Sequence, residues 1–263
     1  MVKIKERIIC DTNIWYGFAS GKLDLADFSS ANLICTKVTI DELASSENIL
    51  DDDKVFLVQR ALKMIFSHAS DIILESPVHW LIRMGDPNFK IDLSTTKSNL
   101  EKLRIFSNLD KTVLGQISRI PELQENIQNY DKPLDPSIDF INSMSPIVNS
   151  NIKNTIGKKQ HRKKDTSGGI KNLIRMMIGR NIPNAKINWT NYPWKKVVLF
   201  VKTWDLFFKE MELSGMKAER NDWYDLFNMV YVNESEKYWT LEKKWNRLIY
   251  SDIETKKYQF KMN

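Results

Sequence analysis

The chain is poor in the residues that staple, loosen or anchor a protein. Its two cysteines, Cys10 and Cys35, both sit inside apolar stretches. They form neither a disulfide framework nor a zinc-binding set, and they read as buried reduced thiols. The three histidines, His68, His79 and His161, lie too far apart for metal-ligand spacing. Nine Gly and eight Pro in 263 residues exclude collagen-like and low-complexity chains. No apolar run approaches the roughly 18 residues of a membrane span. The longest, Val197 to Val201, is short, and the charged opening from Met1 to Arg7 lacks the apolar region and cleavage site of a signal peptide. These absences set the expectation of a cytoplasmic protein with no membrane partner.

Hydrophobic residues make up 42% of the chain and charged residues 27%, with 8 Trp, 8 Tyr and 12 Phe to fill a core. The net charge of +6 is unevenly spread. Residues 151–180 hold nine Lys and Arg against one acid, Asp165, so the remainder is slightly acidic. A local positive stretch suits a polyanionic partner, and a solvated loop equally.

Hydrophobic spacing organises the two ends of the chain. Arg7 to Cys10 reads as a buried strand ending in the polar turn Asp11-Thr12-Asn13. Leu33 to Thr36 reads as a second strand, followed by a helix start over Val38 to Leu43 with Thr39 as N-cap. Residues 51–70 are strongly helical in pattern, and Ile72 to Leu74 suggests a third strand. Strand, helix, strand, helix implies an α/β fold with a parallel sheet. That rhythm disappears between residues 76 and 191, where short helical patterns alternate with polar and proline-containing stretches (Pro133, Pro136, Pro146). This region reads as a mostly helical insertion with a basic arm at 151–180. Met176-Met177-Ile178 between Arg175 and Arg180 suggests an amphipathic helix docked on the body. Further on, Pro193 to Leu213 and Asn221 to Val232 read as helices, and Lys237 to Thr240 as a strand. Trp245 to Tyr250 reads as a helix, and Lys257 to Lys261 as an edge strand.

Certain acids fall where chemistry is expected in such a fold. Asp11 follows the first strand, and ligands bind outside the carboxyl ends of parallel strands. Glu42 lies one turn into the helix after the second strand. Asp222 and Asp225 share a helix face. Glu242 follows a late strand. Crowded carboxylates raise one another's pKa, a cost that falls when a hard divalent cation binds. Such a site suits phosphodiester hydrolysis. Each acid also has a local reading: Asp11 as an N-cap, Thr39-x-x-Glu42 as a capping box, and Asp222, Asp225 and Glu242 as acids at helix starts. The Asp-x-Asp of haloacid-dehalogenase-type phosphotransferases is lost at Asn13. There is also no complete phosphate-binding P-loop and no Gly-x-Ser-x-Gly elbow.

The motifs, taken in chain order, resemble the PIN domain nucleases, a metal-dependent ribonuclease family. They are Asp11-Thr12-Asn13, Thr39-x-x-Glu42-Leu43, Asn221-Asp222-x-x-Asp225 and Thr240-x-Glu242. The resemblance covers about the first and last fifty residues. It implies a three-layer, parallel-sheet PIN-like fold. Its two parts would be 1–75 and 192–263, joined through the 76–191 insertion. It further implies that Asp11, Glu42, Asp225 and Glu242 hold Mg²⁺ or Mn²⁺, with Asp222 competing with or supplementing Asp225. Thr12, Asn13 and Thr240 would position substrate. Glu242 stands where the family usually has Asp. The implied activity is endoribonucleolytic, leaving 5′-phosphate and 3′-hydroxyl ends. Lys158, Lys159, Arg162, Lys163 and Lys164 would hold the strand by its phosphates. A non-catalytic RNA- or DNA-binding module and a DNA nuclease of defence or repair stay open as alternatives. So do an inhibitory protein partner and a homo-oligomer.

Overall fold

The computed structural model describes residues 5–117, 119–130, 142, 160–161 and 164–262. Lys158, Lys159, Arg162 and Lys163 of the expected arm, and Pro133, Pro136 and Pro146, lie outside those residues. Four strands form one sheet: β1 (Glu6–Cys10), β2 (Ala31–Thr36), β3 (Asp71–Ile73) and β4 (Lys237–Trp239). Every pairing is parallel, in the spatial order β3-β2-β1-β4. The chain therefore steps outward from β1 to β3 and then returns to the far side of β1. The order reverses between β1 and β4, the topological switch point where open α/β sheets bind ligands.

The helices are α1 (Thr12–Ala19), α2 (Lys37–Ala44), α3 (Val55–His68), α4 (Pro77–Gly85), α5 (Ser94–Phe106), α6 (Lys111–Ile117) and α7 (Pro121–Tyr130). They continue with α8 (Ser167–Asn181), α9 (Val198–Ser214), α10 (Arg220–Asn228), α11 (Lys243–Ser251) and the short α12 (Ile253–Lys256). Among the described residues, no helix is long and apolar enough to cross a membrane.

Alternation along the strands explains why helices cover both sheet faces. Ile8, Cys10, Leu33, Cys35 and Trp239 point into one core with Trp15 and Phe18 of α1, and with Val58, Leu62 and Ile65 of α3. Ile9, Ile34, Ile73 and Tyr238 point into the other, with Leu81 of α4, Ile174 of α8, Phe200 of α9, Leu226 of α10 and Trp245 of α11. A strand buried on both faces must be apolar at successive positions, as Ile8-Ile9-Cys10 is. Both cysteines are buried and free, and burial raises both thiol pKa values.

Several boundaries differ from expectation for local reasons. Thr36, not Thr39, caps α2, accepting from the Thr39 amide at 3.3 Å. The last residue of β2 is itself the cap, so strand passes to helix with no linker and Thr39 falls inside the first turn. The apolar helix expected from Pro193 starts at Val198, after a 3₁₀ turn at Trp194–Val197. The one expected over 221–232 ends at Asn228 and tightens into a 3₁₀ turn at Met229–Tyr231. The expected edge strand at 257–261 reduces to a single parallel bridge, Tyr238 to Gln259.

The helix expected around Met176 is α8. It buries Ile170, Ile174 and Ile178 at helical spacing, in the same core as Ile9 and Ile34. Ile174→Ala removes a fully buried side chain and is expected to cost about 2–4 kcal/mol. A urea midpoint equal to that of the wild type would show that α8 is not docked.

Candidate active site

The acids expected to meet do so at the carboxyl end of the sheet, around the switch point. β1 runs directly into Asp11, whose amide donates to the Trp239 carbonyl at 2.9 Å and extends the β1–β4 pairing. Asp11 caps α1, and its carboxylate accepts from the Thr12 amide at 2.9 Å. Only 1% of the residue is exposed. Its Oδ2 accepts from Asn13 Nδ2 at 2.6 Å and from Thr240 Oγ1 at 2.7 Å. Asn13 also donates to Thr240 Oγ1 at 3.0 Å and accepts from the Leu241 amide at 2.8 Å. The first turn and the segment after β4 are thus tied together around one carboxylate.

Glu42 reaches the same place from α2, where its Oε2 accepts from Thr12 Oγ1 at 2.5 Å. Asp225 comes from α10, and its Oδ2 accepts from the Trp245 indole N–H at 2.6 Å. The charge of Asp11 lies near enough to raise the Asp225 pKa. Glu242, exposed at the start of α11, donates its amide to Thr240 Oγ1 at 3.0 Å. Its carboxylate is near enough to raise the Asp225 pKa. The group is graded in depth. Asp11, Thr12 and Thr240 form a buried floor, Glu42, Asn13 and Asp225 are half-buried, and Glu242 lies at the exposed rim.

Asp222 is held elsewhere. Its Oδ2 accepts from the Glu219 amide at 3.0 Å in a capping box at the start of α10, and its Oδ1 pairs with Lys244 Nζ. With both oxygens engaged, it serves the helix start, and Asp225 is the α10 acid facing Asp11 and Glu42. Of the five basic residues expected to hold a strand, Lys164 is described, and it is exposed.

Two participants escaped the sequence reading. Asn228 is fully buried, accepts from Thr36 Oγ1 at 2.7 Å and donates to Thr39 Oγ1 at 3.4 Å. It lies near enough to oppose the rise in the pKa of Asp11 and of Tyr238. It stands three residues after Asp225, so the shared helix face was a usable signal. Trp245 reads in sequence as core, which it also is. Its indole N–H gives no sequence signal.

Burial raises the pKa of Asp11, partly offset by hydrogen bonds from Thr240, the Thr12 amide and Asn228. Burial raises Asp225 well above the ordinary range, reinforced by the charges of Asp11 and Glu42 and opposed by the Trp245 hydrogen bond. The side-chain donors to these two acids are neutral. Hard carboxylate oxygens held this way suit Mg²⁺ or Mn²⁺ chemically, and Asp11, Glu42, Asp225 and Glu242 are the residues that could share such an ion. Among the described residues, no three or more His, Cys, Asp and Glu side chains come together in an arrangement that could hold a metal ion as they stand. Asp11, Glu42 and Asp225 instead hold hydrogen bonds that a cation would have to share or displace. No protein-family model, curated protein or solved structure matches the chain.

A carboxyl whose pKa is raised on folding adds stability below its unfolded pKa, and that stability is lost as pH rises through the folded value. Asp225→Asn keeps the acceptor for Trp245 and removes the charge. In metal-free buffer, wild type and variant should melt alike near pH 4, and the variant should gain as pH rises, by about 1–2 kcal/mol at neutral pH. Thermal unfolding across that range checks this. A variant that is less stable at pH 8 would contradict the raised pKa.

Proposed function

We propose that the chain is a PIN-like, metal-dependent phosphodiester hydrolase, with RNA the favoured substrate. One observation carries the reading: Asp11, Glu42 and Glu242, from three separate elements, are tied through Thr12 and Thr240 at the switch point of a parallel sheet, where Asp225 of a fourth element accepts from Trp245. Carboxylates that only cap helices would have no reason to share a pocket at the cost of mutual repulsion.

Asp11, Glu42 and Asp225 would hold Mg²⁺ or Mn²⁺, with Glu242 completing the set from the rim. When bound, such a cation supplies a nucleophile at neutral pH and offsets charge on the phosphate oxygens. The chain's own residues prepare the place. Asn13 and Thr240 fix the orientation of Asp11 Oδ2, Thr12 fixes Glu42, and Trp245 fixes Asp225. The half-buried position of Glu42 and Asp225 leaves one side of the group open to a phosphate.

The exposed Glu242 favours a second reading, in which the fold binds nucleic acid without cleaving it. Cleavage of labelled RNA in Mn²⁺ separates the two, and the same panel with single- and double-stranded DNA tests a DNA nuclease. Asp11→Asn should lower cleavage by more than the 10–100-fold typical of an outer-shell partner. Thr240→Ala should fall within about that range. Equal cleavage by wild type and Asp11→Asn would remove the reading.

Metal binding has a readout of its own. Mn²⁺ at about a hundred times its dissociation constant should stabilise the wild type by about 2.7 kcal/mol. Asp225→Asn should gain much less in the same thermal scan. Equal shifts in both proteins would place the ion elsewhere.

A further inference from the structure

Between Asp165 and Asp205 the chain contains no acidic residue, yet it carries seven Lys and Arg and four Trp or Tyr side chains. The fold gathers much of this segment into one surface. Lys171 and Arg175 are one turn apart on α8, beside the buried stripe of Ile170, Ile174 and Ile178. They reach over the segment that leads into α9. Lys171 Nζ lies 5.5 Å from the Trp194 ring centre, and the Arg175 guanidinium lies 5.6 Å from Trp189 and 5.8 Å from Trp194. The two indoles are stacked at 6.2 Å with an interplanar angle of 20°.

Tyr192 anchors the pair from beneath. Its ring is 5.1 Å from Trp189 and 4.5 Å from Trp194, and its hydroxyl donates to the Leu81 carbonyl at 2.8 Å. Both Trp residues remain half-buried, not enclosed, and Lys195 and Lys196 beside them are exposed. Lys202 pairs with Asp165 and lies near Glu254. Among the described residues, neither Lys171 nor Arg175 pairs with a carboxylate, and Arg175 Nε is buried with no hydrogen-bond partner.

We propose that this surface binds single-stranded nucleic acid: its phosphates meet Lys171, Arg175 and the neighbouring lysines, and its bases stack on Trp189 and Trp194. Unpaired cations beside fixed indoles are the combination that holds single strands without reading sequence. Phosphate is the natural partner for two cations that have no carboxylate of their own; Arg175 Nη1 donates to Asn172 Oδ1 at 2.9 Å, which holds the guanidinium in place. A duplex hides its base faces, so the indoles give it nothing to stack on. The binding does not need the acidic pocket. Only its purpose, delivering a strand for cleavage, rests on the hydrolase reading.

The test uses the full chain in EDTA, so that cleavage plays no part. A fluorescently labelled uridine 12-mer is titrated and followed by anisotropy. Lys171→Gln with Arg175→Gln should weaken binding at least about fivefold and reduce the slope of log affinity against log salt by about one to two. Circular dichroism confirms the fold of the variant. Trp189 and Trp194 contribute to packing, so they are tested in the wild type by ultraviolet crosslinking to a 4-thiouridine 12-mer. Adducts on peptides containing Trp189 or Trp194 support the proposal. It is overturned by unchanged affinity in the folded double variant, by adducts confined to other peptides, by tighter binding to the matching duplex, or by binding to anionic phospholipid vesicles in place of the oligonucleotide. Binding that survives with Asp11→Asn cleavage-dead leaves both readings standing. Cleavage with no binding at this surface sinks only this one.

Discussion

Asp11 is a carboxylate with almost no water and no freedom to move. β1 is paired on both sides, and the Asp11 amide prolongs the pairing to the Trp239 carbonyl. The backbone therefore delivers the side chain to one point at the end of the sheet. An acid at that depth is costly unless donors surround it. The donors come from Thr12, Asn13 and Thr240, three residues on two parts of the chain. Much of the polar order near the sheet edge follows from meeting the needs of this single group. Because those donors are neutral, they orient the charge without cancelling it. The pocket stays acidic, and the stability forgone is the usual mark of a site kept for a ligand.

The helical layers supply the remaining acids by ordinary packing. α10 lies against α2 and α9, with Trp223 and Leu226 in the core, and this leaves Asp225 and Asn228 facing the strand ends. Asp222, one turn earlier on α10, is drawn instead into the capping box and to Lys244. α11 brings Trp245 under the same pocket, where one indole both fills the core and donates to Asp225. Stability and site geometry share residues here. A change to Trp245 would disturb both, whereas changes to Thr240 or Asn13 act mainly on the orientation of Asp11.

The parallel α/β architecture was legible because its signals are strong and local. Ile8-Ile9-Cys10 and Leu33-Ile34-Cys35 are apolar at successive positions, as strands covered on both faces must be. The nearness of Asp11, Glu42 and Glu242 was foreshadowed by their places just past a strand or on the helix after it, and that of Asp225 by its helix leading into β4. What escaped depends on tertiary detail. Nothing local tells Thr36 from Thr39 as the cap, since both are Thr ahead of an apolar run; the abrupt end of β2 decides. Asp222 and Asp225 look equivalent until Lys244, 22 residues beyond Asp222 in sequence, claims Asp222. Asn228 is silent in sequence because a polar residue on a helix is commonplace, and only its complete burial makes it a hub. The edge-strand pattern at 257–261 was misleading for a simpler reason: Tyr258 and Phe260 point inward, but a single bridge to Tyr238 is the only pairing formed there among the described residues.

An acidic pocket and a polyanionic substrate repel each other, and this bears on how the two halves of the molecule fit together. A cation within the pocket lowers the repulsion locally, but at about 8–10 Å, the Debye length near physiological salt, its influence has largely faded. Attraction over longer distances must come from positive surface elsewhere. The chain separates the two signs along its length: the acids lie in its first and last quarters, and the acid-free stretch from Thr166 to Trp204 lies between them. Folding keeps them distinct, with α8 and its cations joined to the sheet through the apolar stripe of Ile170, Ile174 and Ile178. If both proposals hold, removing positive charge from α8 weakens capture of a strand and leaves the acidic group unchanged. Removing a pocket acid has the opposite effect, so the two activities can be measured independently.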